Sequence, residues 1–247
     1  MYDRFADPSP VFGTWPQVVL LGDSITQFSF GFNGSWGASV ADHLQRKVDV
    51  VNRGFSGYNT RNCRSILPLL FNSTNICKVH IFIVCLGSND ASNPVINPTQ
   101  GLTLEQYAEN LGAMVSYLDT IGLGRGKIIF ISPPPLDDVA WDAHCRKNRV
   151  VNSKSSNLTA EFAKACVSMA TRLGIEKLDM HSLMLQQQNW RQFLIDGLHL
   201  THMGSVFWSD QLMPLLMKRT KELPVIGPYW QLFNTEIPPS TTVSSKI

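Results

Sequence analysis

The chain has 247 residues, of which 44% are hydrophobic and 16% charged, with a formal net charge of +2. That balance builds a sizeable core and excludes overall disorder. Without basic blocks it argues against nucleic acid or an anionic membrane as partner, and no apolar run approaches the ~20 residues that span a bilayer.

The N-terminal MYDRFADPSPVFGTWPQ has no apolar stretch of signal-peptide type. The first predicted strand is QVVLL (17–21), followed by the joint LLGDSITQ. There Gly22 permits a tight turn, and Asp23 and Ser24 stand at the start of a helix. Either could simply cap that helix, and Ser24 could equally face outward among its free N–H groups. A second strand, VDVVN (48–52), runs into NRGFSGYNTR, where Gly54 and Gly57 bracket a loop before the apolar stretch Ile66 to Phe71. Gly57 could present its amide to a ligand or serve as an ordinary turn residue. A third strand, VHIFIVC (79–85), ends in CLGSNDAS. Asn89 there is a candidate donor to a developing oxyanion or the start of an Asx turn. Residues 87–102 read as a long polar loop.

The clearest helix follows, from Thr103 to Ile121. Leu104, Tyr107, Leu111, Met114, Leu118 and Ile121 form one stripe, Thr103 and Gln106 stand in capping-box positions, and Gly122 stands after the end. KIIFIS (127–132) is a fourth strand, and 133–147 reads as a second polar loop. Leu158, Phe162, Cys166, Met169 and Leu173 mark another helix ending at Gly174, before a fifth strand, IEKLDM (175–180). After DGLHLTHMGS (196–205) a terminal helix is expected from about Ser205, with Val206, Phe207, Leu212, Leu215 and Leu216 facing the core and Pro214 kinking it.

Strands rich in valine and isoleucine, alternating with helices, predict a single three-layer α/β/α domain over 1–227 around a mainly parallel five-stranded sheet. Residues 228–247 are expected to be a partly mobile tail. In such sheets ligands sit at the carboxyl ends of the strands. The scattered Cys63, Cys77, Cys85, Cys145 and Cys166 have no CxxC pair and suit free thiols in a reducing, cytoplasmic setting. The sequons at Asn33, Asn72 and Asn157 are read as chance matches.

In DGLHLTHMGS, Asp196, His199 and His202 are evenly spaced. They could be metal ligands, or Asp196 and His199 could be the acid and base of a serine hydrolase. In a turn, residues three apart come within about 5–6 Å. Gly197 makes such a turn easy, so Asp196 can hold one ring nitrogen of His199 and leave the other for a serine. No HExxH pattern accompanies these residues, and His43, His80, His144 and His181 are isolated in sequence. There is no Gly-x-Ser-x-Gly elbow.

GDSIT, GFSG, GSND and DGLH occur in that order between residues 18 and 205. In this the chain resembles the SGNH (GDSL-type) esterase and lipase superfamily. SWGASVADHL, NRGFSGYNTR, DGLHL and the late PYW resemble its isoamyl acetate-hydrolysing esterase branch. The resemblance implies a flavodoxin-like fold, a catalytic triad of Ser24, Asp196 and His199, and oxyanion donors on Ser24, Gly57 and Asn89. It implies hydrolysis of small carboxylic esters of short acyl groups, without cofactor or metal, and a possible homodimer. Carbohydrate O-acetyl ester or lysophospholipid cleavage is an alternative use of the same site, and a non-catalytic binding role a remoter one. Asp23, Trp36, Phe55, Tyr58 and Trp141 are the candidate substrate-binding side chains, although the aromatic ones could equally pack in the core.

Overall fold

The computed structural model describes residues 15–31 and 35–227. The expected tail at 228–247 and the sequon at Asn33 lie outside the described residues. In chain order the strands are β1 (Gln17–Gly22), β2 (Asp49–Gly54), β3 (Val79–Cys85), β4 (Ile128–Ile131) and β5 (Glu176–Leu178). The α-helices are α1 (Ser24–Gln27), α2 (Trp36–His43), α3 (Thr60–Leu70), α4 (Leu104–Thr120), α5 (Asp138–Lys147), α6 (Ser156–Leu173), α7 (Met180–Leu185) and α8 (His202–Arg219). The five strands form one sheet in the order β2-β1-β3-β4-β5, and every pairing is parallel.

The apolar runs become strands because both faces of the sheet are covered. Val19, Leu21, Phe82, Val84 and Phe130 face α3, α4 and α6, packing with Cys63, Leu67, Leu111, Met114 and Phe162. Val18, Leu20, Ile81, Ile83 and Ile129 face the other way, against Trp36 and Val40 of α2 and Trp208 and Leu212 of α8. Period-two alternation thus delivers β1, β3 and β4 to two cores at once.

Local signals set several boundaries. Thr103 and Gln106 cap α4 reciprocally, as expected, and α6 ends at Gly174 in the left-handed conformation. The expected loop 133–147 is instead largely helical. Asp137 caps α5 by accepting from the N–H groups of Val139 and Ala140, and His144, Arg146 and Lys147 occupy its last turn, complementing the helix dipole. The terminal helix begins at His202, earlier than expected, because the Thr201 hydroxyl accepts from the Gly204 N–H. Val206 is exposed, whereas Trp208 is buried. The helix runs through Pro214 to Arg219. All five cysteines are free thiols. Among the described residues, no helix is long and apolar enough to cross a membrane.

Candidate active site

Register explains why distant motifs meet. Gly22, the last residue of β1, lies opposite Gly54 of β2 and Cys85 of β3. The joints after these strands therefore leave the sheet side by side. Asp23 caps α1 by accepting from the Ile25 N–H at 2.9 Å, and Ser24 opens that helix with only 6% of its surface exposed. The Phe55 N–H donates to the Gly22 carbonyl at 2.9 Å, and the Ser56 N–H to Gln27 Oε1 at 2.7 Å, tying the second joint to the first. Gly57 turns the chain with φ of +83°, a left-handed conformation that side chains resist. Asn89, buried in the third joint, donates from Nδ2 to the Tyr58 carbonyl at 2.9 Å.

The Asp196–His199 segment is a tight reversal beyond the sheet. Leu194 bridges Leu200, and the Ile195 N–H donates to the His199 carbonyl at 2.8 Å. Gly197 has φ of +93°, and a Cβ there would lie 2.5 Å from the Trp141 nitrogen, so α5 packs directly against the bend. Asp196 Oδ1 accepts from the Leu198 and His199 N–H groups at 2.9 and 2.8 Å. Its Oδ2 meets His199 Nδ1 at 2.7 Å. The far ring nitrogen, Nε2, lies 3.0 Å from Ser24 Oγ, across 175 residues of sequence.

The electrostatics follow from these contacts. Burial pushes the Asp196 carboxyl up, but the hydrogen bonds from His199 and Leu198, with the His199 charge, outweigh it and hold the group at about 2. Asp196 is therefore ionised at neutral pH. It accepts a proton-bearing Nδ1, which leaves the Nε2 lone pair for the Ser24 hydroxyl. The arrangement can take a proton from Ser24 and return it.

The sequence motifs did not point to a buried ionic group behind this site. Lys154 Nζ donates to the Ser88 carbonyl at 2.5 Å and to Ser92 Oγ at 2.8 Å, bracing the loop that carries Asn89. Burial lowers its ammonium to about 8, against the opposing pull of Asp23 and Asp90. Burial likewise raises Asp23 and Asp90 to about 6 each. Asp90 Oδ1 accepts from the Thr60 N–H at 2.9 Å, which pins the start of α3 to the third joint. Nothing in NRVVNSKSS marks Lys154 as different from a solvated lysine. His144, isolated in sequence, is not isolated in space. Its Nδ1 lies 3.8 Å from Asp196 Oδ2, and its ring stacks on Trp141 with centroids 5.1 Å apart.

The expected substrate-binding residues divide. Phe55 and Tyr58, half-buried and stacked at 5.1 Å, lie in the joint that holds Gly57. Trp141 is half-buried on α5, beside the Gly197 bend. Trp36 is corrected. It is 1% exposed, stacks near Trp208 at 5.8 Å and donates from Nε1 to the Ile25 carbonyl, so it packs in the core behind Ser24. Asp23 is corrected too, because its carboxylate is buried and spent on capping α1. His202 starts α8 and lines a groove of about 340 Å³ against α2, with Ser35, Ala38 and Ser39. It does not converge with Asp196 and His199, whose facing atoms meet each other and Ser24. Among the described residues, no group of three or more His, Cys, Asp and Glu side chains is placed to hold a metal ion.

Comparison with known proteins agrees with this architecture. A sequence model described as the GDSL-like Lipase/Acylhydrolase family matches residues 20–205. A human protein named isoamyl acetate-hydrolyzing esterase 1 homolog is 42% identical over 218 residues, covering 88% of each chain. A lipase/acylhydrolase from Enterococcus faecalis superposes with a TM-score of 0.64 at 22% identity, covering 86% of this chain and 100% of that one. A catalytic mutant of an acetylxylan esterase from Geobacillus stearothermophilus gives a TM-score of 0.61 at 17% identity, covering 88% of this chain and 99% of that one. The chain belongs to the GDSL-like lipase/acylhydrolase family and is a carboxylic ester hydrolase.

Proposed function

We propose that Ser24, His199 and Asp196 form the catalytic triad of a serine esterase acting on small esters of short acyl groups. The observation that carries this reading is the unbroken line from Asp196 Oδ2 through the His199 ring to Ser24 Oγ, with links of 2.7 and 3.0 Å. A serine hydroxyl is a weak nucleophile at neutral pH and needs such a base. Nε2 of His199 takes the hydroxyl proton as Ser24 Oγ bonds to the ester carbonyl carbon. The carbonyl oxygen becomes an oxyanion. His199 then gives the proton to the leaving alcohol oxygen as the ester C–O bond breaks, leaving an acyl-serine. Water repeats the sequence, delivering the carboxylic acid and restoring Ser24.

The backbone N–H groups of Ser24 and Gly57 and the Asn89 side-chain amide are the oxyanion donors in this reading. Their support is the side-by-side exit of the joints that carry them. Short acyl groups are supported by the name of the human relative, which specifies an acetate ester. In this reading Phe55, Tyr58 and Trp141 contact such a substrate, supported by their half-burial beside Gly57 and the Gly197 bend.

One experiment tests both levels. A fluorophosphonate probe labels the wild-type enzyme and not Ser24→Ala, and a p-nitrophenyl ester series is cleaved fastest at the acetate end. Turnover by Ser24→Ala at the wild-type rate removes the triad. A preference for long acyl chains removes the substrate assignment and leaves the triad standing.

A further inference from the structure

We infer that Gln100 is a positioning residue for the Asn89 amide, fixing which of its two ends faces the reaction. This rests on the reading of Asn89 as an oxyanion donor. An asparagine can do that work only with its nitrogen toward the substrate oxygen. Rotated by half a turn it presents another oxygen, and a stabilising contact becomes a repulsive one.

The structure holds the productive orientation through a chain of amides. The Gln100 backbone N–H, which can only donate, faces Asn97 Oδ1 at 3.3 Å, and the Thr99 hydroxyl donates to the same oxygen at 2.7 Å. The other end of Asn97 is therefore its nitrogen, which donates to Gln100 Oε1 at 3.0 Å. That leaves Gln100 Nε2 to donate to the Gly57 carbonyl at 2.8 Å and to Asn89 Oδ1 at 3.4 Å. Asn89 Nδ2 then faces the Tyr58 carbonyl at 2.9 Å, with its second hydrogen left for the substrate. The Gln100 N–H and the Gly57 and Tyr58 carbonyls each have only one possible role, and together they fix the amides in one sense.

Gln100 also ties the loop to the joint it serves. Its own carbonyl accepts from Asn59 Nδ2 at 2.7 Å, and Asn59 caps α3 just after Tyr58. One side chain thus bridges the loops that carry Gly57 and Asn89. Gln100 and Asn97 are half-buried, so substitution there leaves the core intact.

The test is a double-mutant cycle on p-nitrophenyl acetate, with thermal melting on every variant. Asn89→Ala lowers kcat by about 10²–10³, the cost of one oxyanion donor. Gln100→Leu lowers kcat by about 10- to 100-fold, the scale on which outer groups that orient catalytic ones act, with little change in KM. In the Asn89→Ala background the same Gln100→Leu change costs no more than about twofold, within the scatter of independent sites. Asn97→Asp, nearly isosteric, shows the same dependence on Asn89 with a smaller loss and covers the case in which Gln100→Leu fails to fold. If Asn89→Ala slows the enzyme and the Gln100 loss multiplies with it in full, or Gln100→Leu leaves kcat unchanged, the positioning role is overturned. If Asn89→Ala itself leaves kcat intact, the oxyanion reading is overturned and this inference with it.

Discussion

The two sides of the site are built on different principles. Ser24, Gly57 and Asn89 stand in the joints that follow three neighbouring strands, β1, β2 and β3, and those joints hydrogen-bond to one another. Ser24 and Asn89 are each only 6% exposed. Asp196 and His199 belong to no strand. They sit in a reversal anchored to α5 through the Asp137 N–H to Gly197 carbonyl bond at 2.9 Å, and the His199 side chain is 31% exposed. The contrast suits the roles proposed for these groups. Groups that stabilise developing charge work best when fixed in a dry, preorganised frame. A group that exchanges protons with substrate and water must stand where water can reach.

The sharpest way to break this comparison is on the exposed side. His199→Ala is expected to lower kcat by about 10⁶-fold, the scale for losing the base of a triad. His202→Ala, three residues on and turned into the α2–α8 groove, is expected to spare activity. Equal losses from both would mean that the reversal acts as a whole and that the ring contact to Ser24 is not what matters.

Asp196→Asn comes next, with an expected loss of about 10⁴ in kcat through the wrong histidine tautomer. It also carries a stability signature. The Asp196 carboxyl lies at about 2, below its ordinary 3.8, so its contribution is present above about 4 and lost as pH falls toward 2. Removing it flattens the wild-type loss of stability in that window, measured by urea unfolding at each pH. Asp23 and Asp90, raised to about 6, run the other way. The native state holds their protons more tightly, so their contribution weakens as pH rises from about 4 to about 6. An Asp196→Asn protein with an unchanged acid limb would separate the catalytic role proposed for this carboxylate from its electrostatic one.

The smallest catalytic effect is expected behind the rigid side. Trp36→Ala should cost about 3–5 kcal/mol of stability, the usual range for emptying a buried aromatic site. It should not move the acyl-chain preference of the folded enzyme. A shifted preference in the ester series would return Trp36 to the pocket.

Much of the fold was legible. Short runs located all five strands to within a few residues, and the continuously apolar ones are β1, β3 and β4, because strands buried on both faces need such sequence. The capping box at Thr103 and Gln106 located α4, because those contacts are local. Helix α5 was missed because its hydrophobic stripe is weak. Asp137 and the basic last turn were its only strong signals, and the three prolines before it read as loop. The fifth strand proved shorter than its apolar run, because Asp179 caps α7 and draws Met180 into that helix.

By itself the sequence determined which residue types stand at each strand end, and it contained Ser24, Asn89, Asp196 and His199 as motifs. Such signals are short-range, carried by a few neighbouring residues. Tertiary structure alone decided that Ser24 and His199 meet across 175 residues, since only the parallel register and the packing of α5 against Gly197 place them together. It also decided that Trp36 packs in the core and Asp23 caps a helix, that Lys154 is buried behind the Asn89 loop, and that Gln100 reaches both Gly57 and Asn89. A lone lysine or glutamine has no local pattern. Its role appears only when distant backbone brings it a partner.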